Sequence, residues 1–64
     1  METKVAKLIK TVIDDDGKWE VYLNDNGLYD VKYYEYFSSC GYRLVYEDPG
    51  FCKEVLNWAY GFEV

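Results

Sequence analysis

The densest run of oxygen ligands in the chain is Asp14-Asp15-Asp16-Gly17. A calcium loop that begins on such a run needs oxygens at alternate positions, glycine sixth and glutamate twelfth. Counted from Asp14, the fifth position is Lys18, the sixth Trp19 and the twelfth Asp25. A cation and an indole at those places break the pattern, and the run reads as a hairpin turn. Asn24-Asp25-Asn26-Gly27 has the same two readings and the same outcome. The cysteines, Cys40 and Cys52, are too few for a structural zinc site in a chain without histidine. A cysteine nucleophile needs a base to make thiolate, and no histidine is there to serve. Cys52 reads instead as a buried structural cysteine on an apolar helix stripe. The acids could be paired for general acid–base chemistry in many ways, so no one pair is informative. No glycine-rich phosphate loop is present. Neither a metal, a cofactor nor an enzymatic activity is expected.

What remains is aromatic chemistry. Eight Tyr, three Phe and two Trp make up 20% of the chain. Tyrosine suits places where one end is buried and the other wet, and it is enriched at interfaces. It also offers planes on which bases stack. The plainer explanation is that tyrosine favours strands. Both can hold, because only one face of a small sheet can be core.

The elements that would position these rings are legible from alternation. Residues 18–23 place Trp19, Val21 and Leu23 on one side and Lys18, Glu20 and Tyr22 on the other. Asn24-Asp25-Asn26-Gly27 supplies the positive φ that a hairpin turn needs. Residues 28–37 form a second strand, with Tyr29, Val31, Tyr33 and Phe37 on one face and Asp30, Lys32, Tyr34 and Tyr36 on the other. A turn at Ser38-Ser39-Cys40-Gly41 leads into a strand over 42–47. Its Tyr42, Leu44 and Tyr46 oppose Arg43, Val45 and Glu47. Residues 3–13 are ambiguous. Val5, Leu8, Ile9, Val12 and Ile13 fit helical spacing, yet Ile9, Thr11, Val12 and Ile13 are β-branched, so a strand is expected with a short helix as the alternative. A C-terminal helix is expected over about 49–60. Asp48 would be its N-cap, Pro49 its first residue and Gly61 its left-handed stop. Phe51, Cys52, Val55, Leu56 and Ala59 would make its apolar stripe, with Trp58 at the edge. The expected fold is α+β: a single domain over 1–64, an antiparallel β-meander of three to four strands with one C-terminal helix packed on one face. Trp19, Val21, Leu23, Phe51, Val55 and Leu56 should be its core.

Sixty-four residues bury about 60% of the unfolded surface, which leaves one core marginal and makes oligomerisation a natural further source of stability. Lys4, Lys7 and Lys10 interrupt any apolar N-terminal run, so no secretory leader is expected. No stretch is long enough to span a membrane. A cytoplasmic chain with free thiols follows. Residues 1–13 carry three lysines against Glu2, while the remainder is strongly acidic, for a net charge of -5. That balance disfavours direct nucleic-acid binding through phosphates. It serves solubility, or makes an acidic face that imitates nucleic acid.

With a helix on one side of the sheet, Tyr22, Tyr34, Tyr36 and Tyr46 would share the wet side. Lys18, Lys32 and Arg43 would be at hand for a phosphate-bearing ligand. A tiny acidic chain with a β-meander, one helix and many tyrosines resembles small phage-encoded proteins that block bacterial defence systems. The resemblance lies in size and layout and carries over no individual residue. It implies a non-enzymatic binding protein that sequesters a nucleotide-derived signal or binds a host effector protein. The other readings are a nucleic-acid mimic and a small structural or regulatory subunit. The expected partners are a second copy and a host protein or a small nucleotide-like ligand, with no membrane; the structural or regulatory subunit would have no foreign target.

Overall fold

The computed structural model describes residues 6–64. Four strands, β1 (Lys7–Ile13), β2 (Gly17–Leu23), β3 (Tyr29–Phe37) and β4 (Gly41–Phe51), precede one helix, α1 (Lys53–Tyr60). The strands form one antiparallel sheet in sequence order, a meander. Residues 7–13 are therefore strand, which decides the ambiguity there in favour of β-branching. Residues 3–5 of that expected element lie outside the described residues.

The turns work as their side chains dictate. Asp14 Oδ1 accepts hydrogen bonds from the amides of Asp16 (2.9 Å) and Gly17 (2.8 Å), so this carboxylate is committed to its own backbone. Asn24 Oδ1 does the same for Asn26 and Leu28, and Gly27 takes φ 79°. Gly17 itself is needed for a close approach. A Cβ there would stand 2.0 Å from the Tyr34 carbonyl oxygen.

β4 departs most from expectation. Tyr33 pairs with Tyr46 while Tyr34 pairs with Leu44, which leaves Val45 as a bulge. A second irregularity falls at Pro49 and Gly50, between the Val31–Asp48 and Tyr29–Phe51 pairs. The strand thus runs through Pro49, which an edge strand tolerates because one side of its backbone has no ladder to complete. Gly50 turns at φ 85° and donates its amide to Asp30 Oδ1 at 3.1 Å. The helix consequently starts at Lys53 rather than Pro49, and Cys52, not Asp48, is its N-cap, with no side-chain capping bond. The Asp48 carboxylate accepts from the hydroxyls of Tyr46 (3.0 Å) and Tyr60 (3.4 Å) instead. The C-terminal stop is as expected, with Gly61 left-handed and its amide bonded to Asn57.

The core is small. Val21, Val31 and Leu56 are fully buried, and Phe62 nearly so. Trp19 and Phe51 pack against this cluster, together with Tyr29 and Tyr60. Trp19 is its aromatic hub, with ring centroids 4.5 Å from Tyr33, 5.5 Å from Tyr60 and 6.0 Å from Phe62. Val55, expected inside, is exposed, and Leu23 is only half-buried. A helix of eight residues has one inward line, and Leu56 and Tyr60 occupy it four residues apart. Val55 is turned away from that line, and so is Trp58, which is 85% exposed. Cys52 is exposed at the cap rather than buried on a stripe, and Cys40 is exposed in its turn; both are free thiols.

Candidate interaction face

Residues that pair across an antiparallel ladder share a face, so the register assigns both sides of the sheet. Trp19, Tyr33 and Tyr46 lie in one row on the side of Val21 and Val31, the core side. The opposite, open side carries the rows Ile13–Lys18–Tyr34–Leu44 and Thr11–Glu20–Lys32–Glu47, with Tyr36 and Tyr42 beyond them.

Of the residues singled out from sequence, Tyr22, Tyr34, Tyr36, Lys18 and Lys32 come together on the open side. Two do not. Tyr46 lies on the core side, its ring 6.3 Å from Trp19 and its hydroxyl 3.3 Å from that of Tyr60. Arg43 pairs with Glu35, in register with the core side. The Val45 bulge is the physical reason for Tyr46, because one extra residue reverses the side on which the following residues fall, up to the second irregularity at Pro49 and Gly50. Strict alternation had grouped Tyr42, Leu44 and Tyr46. The bulge separates them and leaves Tyr42 and Leu44 as open-side residues that the tyrosine patch had omitted.

The open face is internally compensated. Lys18 Nζ lies 4.5 Å from the Tyr42 ring centroid, 5.4 Å from that of Tyr34 and 3.2 Å from Glu20 Oε2. Lys32 Nζ lies 5.1 Å from the Tyr22 ring centroid and 3.8 Å from Glu47 Oε2. Each ammonium thus already has a ring and a carboxylate. Tyr22 donates to Glu20 Oε1 at 2.6 Å. That bond, with burial and the Glu20 charge behind it, pushes the Tyr22 phenol up to about 12. Burial works to raise the Glu20 carboxyl, but the hydrogen bonds from Tyr22 and Lys18 and the charges of Lys18 and Lys32 outweigh it, and the net shift is downward. Tyr36 and Tyr42 meet edge to face at 5.3 Å.

On the core side, burial and the bonds to Tyr46 and Asp48 raise Tyr60 far above the ordinary phenol value. Tyr33 is raised by burial and by Asp14, Asp16 and Glu35, which gather acidic charge at one corner of the sheet. Among the described residues there is no enclosed pocket, no metal-holding group of acids and cysteines, and no helix long and apolar enough to cross a membrane. No protein family, curated protein or solved structure matches the chain.

Proposed function

We propose that this chain is a small non-enzymatic binding protein that acts through protein–protein contact, with the open face of its sheet as an interface. The observation that carries this reading is the group of exposed apolar side chains at one end of that face, namely Ile13, Tyr36, Tyr42 and Leu44. Solvent-exposed aromatic patches of this kind mark interaction surfaces. The helix covers the other side in this reading, through Leu56 and Tyr60, so the open face is the one left to a partner. The described residues form a slab of 36 × 35 × 15 Å, a shape that suits a flat partner surface rather than an enclosed small molecule. The pairing of Lys18 and Lys32 within their own face weighs the same way, since a phosphate would have to compete with Glu20 and Glu47 for them.

Combined with the resemblance to phage-encoded inhibitors, the reading is an inhibitor of a bacterial defence system that occupies an effector protein. The test is phage plating on bacteria that carry a defence system and express the chain. Wild-type protein should restore plating on a sensitive system, and a Tyr36→Ala/Tyr42→Ala double variant should lose at least part of that effect. Full retention by the double variant, at equal protein level, would falsify the role of the face. A second reading, nucleic-acid mimicry, is favoured by the acidic corner at Asp14, Asp16 and Glu35. Under it, binding to the effector should weaken steeply with salt, and Asp14→Asn/Asp16→Asn should matter more than the tyrosines.

A further inference from the structure

We infer that the open face of the sheet is occupied by a second copy of this chain, packed face to face as a two-fold dimer. This rests on the reading of that face as an interface and names its occupant. Three observations select it. The first is charge. A molecule of net charge -5 repels its own kind. Two copies therefore approach most easily where charge is locally offset, and the open face pairs Lys18 with Glu20 and Lys32 with Glu47, while its further acid, Asp30, accepts hydrogen bonds from the Asn24 side chain and the Gly50 amide.

The second is apolar exposure. Ile13 is 69% exposed, Tyr36 55%, Leu44 48% and Tyr42 44%, on three strands of one surface. The Lys18 ammonium lies against the Tyr34 and Tyr42 rings rather than out in water, so it does not break the patch. Four strands about 4.8 Å apart, each presenting about seven residues at about 3.3 Å, have a planar footprint of about 440 Å². Doubled over two copies, and with side-chain relief added, this comes near the ~1,000 Å² that a specific interface needs.

The third is that the sheet edges are poor alternatives. β1 carries Lys7, Lys10 and a register irregularity at Ile9, and β4 has irregularities at Val45 and at Pro49 and Gly50. Bulges and edge lysines are what keep strand edges from pairing with another chain. Two sheets packed face to face about 10 Å apart avoid the edges altogether. In such a pair both helices lie outside, each displaying its Trp58 to solvent, so the dimer would offer two copies of that anchor to a target.

The test is sedimentation of the full chain over a concentration series. Wild type should dimerise. Leu44→Lys on β4 and Ile13→Lys on β1 should each weaken the dimer about tenfold or more, and Trp58→Ala should leave it unchanged. Far-ultraviolet circular dichroism screens for folding, and placing the variants on opposite edge strands guards against one of them misfolding. A wild type that stays monomeric at its highest soluble concentration overturns the inference. So does a dimer broken by Trp58→Ala but not by the two lysine variants. Phage plating separates the two readings. A monomer whose open-face variants still lose inhibition sinks the second copy and leaves the face as an interface for a foreign protein. A dimer broken by those variants with plating unchanged supports the second copy and removes the inhibitory role.

Discussion

Glu20 and Tyr22 sit two apart on the same side of β2, so their side chains are neighbours and the phenol donates to the carboxylate at 2.6 Å. The consequences for stability have opposite signs. Tyr22 titrates at about 12 in the fold against an ordinary 10.0. Its contribution is intact below the unfolded value and is lost as pH rises from about 10 through about 12. Glu20 is lowered from 4.5, so its contribution is present above that value and is lost as pH falls through the lower folded one. Tyr22→Phe removes the shared bond. Alkaline unfolding between pH ~10 and ~12 should then become less steep, and the Glu20 carboxyl should rise. Tyrosinate absorbance and carboxyl chemical shifts followed through titration would show both. An unchanged Glu20 in the variant would mean the bond does not form in solution. The pair was half legible from sequence. Alternation put the two residues on one side, but the lowering of Glu20 also draws on the charge of Lys32, which only the pairing of β2 with β3 brings near.

At the scale of elements, the C-terminal segment carries most of the surprise. Asp48-Pro49 has the composition of a helix start, yet β4 extends to Phe51, with Asp48 paired to Val31 and Pro49 in the irregularity that follows. Pairing with β3 and the two tyrosyl hydroxyls on Asp48 outweigh a local capping preference worth about 1 kcal/mol. After α1 the chain turns at Gly61 and returns. Phe62 is buried and stacks on Tyr60 with centroids 5.2 Å apart, and Val64 is held by paired bonds to Asn57. Four residues after a helix stop have no periodicity to read, so Phe62 could not be placed in the core from sequence. Phe62→Ala should cost about 3–5 kcal/mol in chemical denaturation. Trp58→Ala, which removes a larger ring, should cost nearly nothing, because that ring already stands in water. Equal costs would mean that the tail does not pack as described.

For the molecule as a whole, the important ratio is core to surface. The described residues have a radius of gyration of 12.6 Å, where a compact chain of this length would have about 10–11 Å. The excess belongs to a single sheet with one short helix, and among the described residues only four apolar side chains are buried. A monomer built this way is marginal. If two copies share their open faces, stability is coupled to concentration by mass action. The melting temperature should therefore rise with protein concentration in wild type and stay flat in Leu44→Lys. A wild-type midpoint independent of concentration would show a stable monomer and remove the energetic reason for pairing.

Local structure was legible in the amino-acid order alone. Alternation in residues 18–23 and 28–37 produced β2 and β3 with their faces assigned. Asp14 and Asn24 specified their turns through bonds to their own backbone, and Gly61 ended the helix because it alone tolerates the left-handed cap at no steric cost. Those properties depend on neighbours within a few residues. Tertiary structure decided where alternation breaks. Whether β4 carries an extra residue at Val45 depends on how it pairs with β3, and that one residue turns Tyr46, still exposed, to the core side of the sheet and leaves Tyr42 and Leu44 on the open side. It also decided which line of a short helix faces inward and that the last four residues fold back onto it. Such outcomes are set by the fit of whole surfaces, of which each residue is only a small part.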